Sequence, residues 1–304
     1  MKRKASEEAD GKEPPRKKLF KIENKDETFV MFDEKKMIGT LLQRAISMCD
    51  EETIEQTKTV VIVGEGHDFS ELQKIKNVTS LTISECDDLN PNIFHTSLKS
   101  LHALETLEMM ISIKEPLIIE NHQMSSFLLN FSQHVDLHLS STSVKSVSFS
   151  SCSFASVPEL HGPFLQNLRF TNSRNLTDRL LYQILSQFEE LHVTMKDRKC
   201  ARLESLSLFD CPLLENPHIE SSTLLKLILN ACESLKNPII KCIHLHTLDI
   251  KWCEQLQNML LGCNTLQKLD LKGSAAALEN DASYRDLMIN SLRQHYHASL
   301  EIHT

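Results

Sequence analysis

Nine cysteines and fourteen histidines are the residues of this chain best equipped for chemistry. Five of the cysteines, Cys86, Cys152, Cys211, Cys232 and Cys253, fall in one slot of a recurring pattern, the last three at intervals of 21 residues. Evenly spaced thiols raise the question of zinc, which needs its ligands gathered on one point. The same slot holds Ser132, Ser173 and Ser274 in other units, and a hydroxyl does not replace a zinc thiolate. The pattern therefore predicts a packing position. The histidines offer no pair at ligand spacing on one predicted element with an acidic partner. Gly64-Glu65-Gly66-His67 lacks the further glycine and the lysine of a phosphate cradle and reads as a turn. There is no Cys-x-x-Cys and no His-Glu-x-x-His. The residues predict no catalytic centre, no metal and no cofactor.

What positions the cysteines is a repeat. Leu203, Leu224, Leu245 and Leu266 open its most regular units, Leu206, Leu227, Leu248 and Leu269 follow, and Leu208, Leu229, Ile250 and Leu271 come next. After the cysteine slot come Leu214, Leu235 and Leu256, then Asn216-Pro217, Asn237-Pro238 and Asn258-Met259. A fixed period with the same residue classes in the same places marks a solenoid, in which each unit buries its apolar face against its neighbours. The register extends backward through Leu165, Leu168 and Phe170, Val144, Val147 and Phe149, Met124, Phe127 and Leu129, a longer unit at Leu104, Leu107 and Met109, Leu81 and Ile83, and Val60 and Ile62. Thr177-Asp178 predicts a helix start ahead of Leu180, Leu181, Ile184, Leu185 and Phe188. Leu191 and Val193 then read as a strand, with an irregular loop at Lys196 to Lys199. Leu278 to Tyr296 reads as a helix and Leu300–Ile302 as a last strand.

The pattern Leu-x-x-Leu-x-Leu-x-x-Cys-x-x-Leu resembles the leucine-rich repeat family in the form where Cys replaces the commoner Asn. The resemblance covers residues 57 to 304 and is most specific from 203 to 274. It implies an α/β solenoid, a horseshoe of about ten to eleven irregular units of ~21 residues with short parallel strands on the concave face. At ~4.8 Å between strands, eleven units would span on the order of 50 Å. The residues between the apolar positions would then face the concave side. They are mostly small and polar, with Met110, Leu128, Phe209 and Ile228 as apolar exceptions and Arg169 and His192 among the larger polar ones. These six are the candidate partner contacts; the apolar ones are either anchors or are shaded by neighbouring coils. Trp252 is either a packing residue at the coil edge or an interface anchor.

The flanks complete the organisation. Residues 1–27 carry nine Lys/Arg against seven Asp/Glu, and the rest of the chain carries 24 against 34. Few apolar residues and many charges predict a disordered tail. Its two basic clusters, Lys2-Arg3-Lys4 and Arg16-Lys17-Lys18, resemble a bipartite nuclear localisation signal read by an importin groove. An acidic body argues against a broad grip on nucleic acid. No apolar run reaches the ~20 residues that cross a bilayer. Residues 28–56 read as a helical cap built on one amphipathic helix from Asp33 to Met48, residues 57–277 as the repeats and 278–304 as a C-terminal cap. The expected function is a non-catalytic nuclear scaffold that binds a protein. The alternative is a ubiquitin-ligase substrate receptor with a divergent F-box in residues 28–58, by likeness to F-box proteins that carry Cys-type repeats.

Overall fold

The computed structural model describes residues 19–22, 28–33, 36–39, 42–47, 49, 51–65, 67–86, 89–112, 115–194, 203–274 and 300–303. Its elements follow the chain as β1 (Leu19–Ile22), β2 (Thr28–Asp33), β3 (Lys36–Gly39), α1 (Leu42–Ser47), α2 (Glu51–Gln56), β4 (Thr59–Val63), a 3-10 turn at Phe69–Lys74 and β5 (Ser80–Ser84). Then come α3 (Pro91–Ser100), β6 (Thr106–Met110), β7 (Leu117–Glu120), β8 (Ser126–Asn130), β9 (Leu137–Ser140), β10 (Ser146–Ser150), β11 (Glu159–His161) and β12 (Asn167–Thr171). The last part is α4 (Asp178–Thr194), β13 (Ser205–Phe209), β14 (His218–Ser221), β15 (Lys226–Asn230), β16 (Ile239–Cys242), β17 (Thr247–Asp249), β18 (Leu260–Leu261), β19 (Lys268–Asp270) and β20 (Glu301–His303).

This is an α/β fold dominated by one 14-stranded sheet in the order β1-β2-β3-β4-β5-β6-β8-β10-β12-β13-β15-β17-β19-β20, with two smaller sheets, β11-β9-β7 and β14-β16-β18. From β3 onward every pairing in the large sheet is parallel. The register places each residue against its repeat equivalent. Leu206 pairs with Leu227, Leu227 with Leu248 and Leu248 with Leu269. Strands such as β6, β8 and β10 alternate half-buried and buried residues, as a sheet with one covered face must. Their inward side chains and those of the smaller sheets join one core.

Most strands of the large sheet from β4 to β19 share two devices at their ends. At the entry, one carbonyl accepts two successive N–H groups from the next coil, as Lys145 does from Gln166 and Asn167, and Glu204 from Leu225 and Lys226. At the exit the chain turns through the left-handed region at Gly64, Glu85, Phe131, Ser151, Asn172, Asp210, Ala231, Trp252 and Gly273. The N–H of the turning residue still donates to the next coil, Asp210 to the Asn230 carbonyl and Trp252 to that of Lys272. The following slot is the cysteine position, fully inside. The Cys253 Sγ donates to the Leu229 carbonyl at 2.9 Å and the Cys86 Sγ to that of Gly64 at 2.8 Å, while Ser274 Oγ takes the same role toward Ile250.

Several expectations need correction. Leu191 and Val193 do not form a strand; α4 runs on to Thr194, and Leu168 of β12 pairs directly with Leu206 of β13. The alternation of Leu191 and Val193 suggests a strand, whereas the backbone there continues the helix that begins at Asp178. The single helix expected from Asp33 to Met48 is instead β3 and the shorter α1, with β2 pairing antiparallel to β3. Phe29, Val30 and Phe32 are the β-branched and aromatic residues that favour a strand here. Within the tail, Leu19–Ile22 pairs antiparallel with β2. The loop at Lys196 to Lys199 and the helix at Leu278 to Tyr296 lie outside the described residues, whereas the last strand forms at Glu301–His303.

The two small sheets were not anticipated. Their inward residues alternate, Leu117 and Ile119, Leu137 and Leu139, Leu160, then Ile219 and Ile240, all buried. α4 lies between the two sheets in sequence and replaces a strand there. Thr177 Oγ1 caps it by accepting the Leu180 N–H, and both carboxylate oxygens of Asp178 accept backbone N–H groups from Glu215 and Asn216.

Candidate interaction face

The outward residues of the large sheet form rows whose order the strand register dictates. The middle row reads Val61, Thr82, Glu108, Leu128, Ser148, Arg169, Ser207, Ile228, Asp249, Asp270 and His303. Beside it runs a second row, Val63, Ser84, Met110, Asn130, Ser150, Thr171, Phe209 and Asn230. Five of the six candidate contacts therefore share this face. The sixth, His192, does not, because it sits in α4.

The five divide into two groups. Leu128 and Met110 stand on adjacent strands, with Glu108 and Asn130 completing the square, and the Asn130 amide donates to Glu108 Oε1 at 3.4 Å. Two strands further on, Arg169, Phe209 and Ile228 occupy β12, β13 and β15 in succession. Between the groups the face is serine, at Ser148 and Ser150. Met110, Leu128 and Ile228 are half-buried, shaded by their neighbours, while Phe209 remains 37% exposed. Arg169 is exposed and its Nε donates only to Thr171 Oγ1 of its own strand, at 3.1 Å.

The face ends in a charged patch. Lys251 Nζ lies 2.9 Å from Asp249 Oδ2 and 3.2 Å from Asp270 Oδ2. The hydrogen bond to Asp249 is the main cause that raises the Lys251 pKa, with Asp270 adding to it. Asn230 Oδ1 accepts the Lys251 N–H at 2.9 Å, tying this corner to β15.

The exit rim adds Phe131, which sequence reasoning passed over, and Trp252, which it left between a packing residue and an interface anchor. Phe131 is 66% exposed and Trp252 51% exposed, and both have positive φ. A left-handed backbone costs a non-glycine residue roughly 1–2 kcal/mol, and bulky residues are rare there. The available signal was position, since each directly precedes the Cys/Ser slot, where other coils place the smaller or polar Glu85, Ser151, Asn172, Asp210, Ala231 and Gly273. Trp252 also rests on the chain, because a Cβ on Gly273 would come within 2.5 Å of its Cδ1. It thus shields the coil edge and remains half exposed.

The basic clusters Lys2, Arg3, Lys4, Arg16, Lys17 and Lys18 lie outside the described residues. Among the described residues no helix is long and apolar enough to cross a membrane. The buried cysteines are free thiols. Burial, its main cause, pushes Cys152 up to about 11, and a hydrogen bond with Cys211, followed by burial, helps push Cys232 up to about 12. Thiols held neutral in this way are poor nucleophiles. One group of side chains among the described residues is spaced to share a metal ion, His138, Glu159 and His161, and it lies on the small β7-β9-β11 sheet, not on this face. Comparison with known proteins found no matching family model and no matching curated protein.

Proposed function

We propose that this protein is a leucine-rich-repeat solenoid of the Cys-containing type, acting as a non-catalytic scaffold that binds a protein on the outward face of its large sheet. The parallel register of repeat equivalents and the thiol-to-carbonyl bonds of the cysteine slot support the solenoid reading. One observation carries the binding reading. Large aromatic side chains, Phe131 and Trp252, stand exposed at left-handed exit turns of the sheet that also carries exposed Phe209, at positions where glycine or asparagine would cost less. Aromatic and arginine side chains supply most interface energy when a partner covers them, and Arg169 stands two strands from Ile228 on the same face. Strain kept at such positions points toward use.

The basic clusters of the tail support nuclear import through an importin, and the acidic body disfavours nucleic acid as the main partner. Changing Arg16, Lys17 and Lys18 to Ala should move the protein to the cytoplasm. Undiminished nuclear accumulation would remove that part of the reading.

The binding reading is tested by quantitative mass spectrometry of complexes captured on the full-length chain. A stoichiometric protein partner should fall at least about tenfold with Phe209→Asp. It should persist with Leu260→Asp, which changes an exposed apolar residue of the small β14-β16-β18 sheet. Capture that ignores Phe209, or that follows Leu260, would place the partner elsewhere. The F-box alternative gains no support from residues 28–58, whose described elements are β2, β3, α1 and α2.

A further inference from the structure

On the small sheet, two strands bring three metal-ligating side chains to one point. His138 of β9 and Glu159 of β11 are register partners in a parallel ladder, and His161 lies two residues beyond Glu159 on the same side of its strand. His138 Nδ1 is 2.7 Å from Glu159 Oε2, and His161 Nε2 is 3.8 Å from the same oxygen. The imidazole rings lie 5.1 Å apart, and one donor atom from each residue falls within 4.8 Å of the other two. We propose that His138, Glu159 and His161 form a binding site for a divalent transition-metal ion such as Zn2+ or Cu2+.

The donor set decides the class of ion. Two imidazole nitrogens and one carboxylate suit zinc, copper and nickel, whereas calcium and magnesium take oxygen ligands. Ligands sharing one zinc ion stand about 3.3 Å apart, given bonds of about 2.0–2.1 Å in tetrahedral geometry. Side-chain torsions close the remaining gap, because all three side chains reach solvent, at 36%, 62% and 54% relative exposure for His138, Glu159 and His161. The strands beneath them do not need to move, since Leu137, Leu139 and Leu160 anchor them in the core.

The nearest lysine does not repel a cation. Lys99, on α3, is paired with Glu120 at 2.6 Å, which leaves its charge compensated. Glu120 itself stands on β7, beside His138's strand. His138 and Glu159 also wall an open groove of about 420 Å3 with Ile118 and Val157, which gives an ion access from solvent and room for water or a further ligand in its fourth position.

The molecule contains its own controls. His218 with Glu220 and His303 with Glu301 repeat the alternate-residue spacing of Glu159 and His161, with N···O distances of 3.4 and 2.9 Å. In the first pair the neighbouring strand supplies Lys241 instead of a second imidazole. A His–Glu pair alone is an ordinary surface ion pair, and what sets the β9–β11 group apart is the second histidine across the ladder.

The full-length chain, stripped of metal by chelator, would be titrated with ZnCl2 near pH 7.5 by calorimetry. Binding that remains in the His138→Ala/His161→Ala double variant counts as background from other histidines. Above that background, one equivalent should bind, and His138→Ala, His161→Ala and Glu159→Gln should each weaken it by at least about tenfold. His218→Ala should leave it unchanged. With Cu2+, electron paramagnetic resonance should show two nitrogen ligands in the wild type and one in His161→Ala. Wild-type binding equal to the double variant, an equal loss in His218→Ala, or a spectrum unaffected by His161→Ala would each overturn the site.

Discussion

The coils from β8 to β12 and those from β13 to β19 follow one backbone plan with different contents. In the later coils the second inward position holds Leu208, Leu229, Ile250 and Leu271, and the corner slot is Cys211, Cys232, Cys253 and Ser274. In the earlier coils that inward position holds Leu129, then Phe149 and Phe170, whose rings stack at 5.3 Å, with Phe154 packed against both at 5.2 and 5.8 Å. Phe127 meets Phe149 edge-on at 6.4 Å. An aromatic column thus does in one region what a leucine column with a thiol corner does in the other. The parallel ladder fixes spacing between coils, while the inward column is free to vary if its volume fills the space.

The largest test of this contrast removes one member of each column. Phe149→Ala should destabilise by about 3–5 kcal/mol and Leu227→Ala by about 2–5 kcal/mol, both through loss of buried contacts and an unfilled cavity. Phe149 touches three other rings, so its cavity has more lining to lose. Equilibrium urea unfolding of the variants measures both. A Leu227→Ala effect below about half a kcal/mol would contradict its inward register.

Alkaline titration compares the corners. The thiols of Cys152 and Cys232 have folded pKa values of about 11 and about 12, above the ~8.5 of an unfolded cysteine. A raised pKa means that the unfolded chain loses its proton first. The stabilisation is complete below about pH 8.5 and declines as pH rises toward 11–12, on the order of 1 kcal/mol per pH unit for each thiol. Cys232→Ser should flatten that decline further toward high pH than Cys152→Ser does. Equal pH profiles for the two serine variants would show that the corners are alike.

Where the two regions meet, α4 replaces a strand and its Gln187 side chain stands in for the missing ladder. Gln187 Oε1 accepts the Leu160 N–H at 3.0 Å and its amide donates to the Pro158 carbonyl at 3.0 Å. The edge strand β11 is thereby satisfied without a neighbour. Gln187→Ala should cost about 1–3 kcal/mol by leaving both backbone groups without a partner. Hydrogen exchange at the Leu160 amide should accelerate; if it does not, the helix is not capping the edge.

The repeat made the large sheet legible because parallel coils pair equivalent residues, so a period in sequence becomes a register in space. Leu227 and Cys253 sit where the pattern put them. His192 failed for the same reason in reverse, since Leu191 and Val193 imitate a strand when the helical face of Leu181, Ile184, Leu185 and Phe188 is cut short. The histidine cluster was hidden because its members come from different strands 21 residues apart, and only the β9–β11 ladder makes His138 the neighbour of Glu159. Phe131 escaped notice because residue type says little about a turn that usually takes glycine or asparagine, and Trp252 was noticed without its backbone conformation, which only the φ value reveals.

The smallest test concerns a device that, among the described residues, belongs to the later coils. Asn237 Nδ2 donates to Asn216 Oδ1 at 2.8 Å and Asn258 Nδ2 to Asn237 Oδ1 at 3.2 Å, which links three successive coils beside β14, β16 and β18. The bonds are exposed to water, which competes for the same groups, so Asn237→Ala should cost only about 0.5–1 kcal/mol. Its position matters more than its size. The asparagines follow the leucines Leu214, Leu235 and Leu256, so they order the turn into the small sheet after the core is already closed. Asn237→Ala should therefore speed amide exchange at Ile239 and Leu260, which donate to the Pro217 and Pro238 carbonyls, while leaving Leu227 on β15 protected. A loss of protection that spreads to β15 would mean that the polar ladder helps to hold the large sheet, and that the later coils depend on it as the earlier ones depend on their phenylalanines.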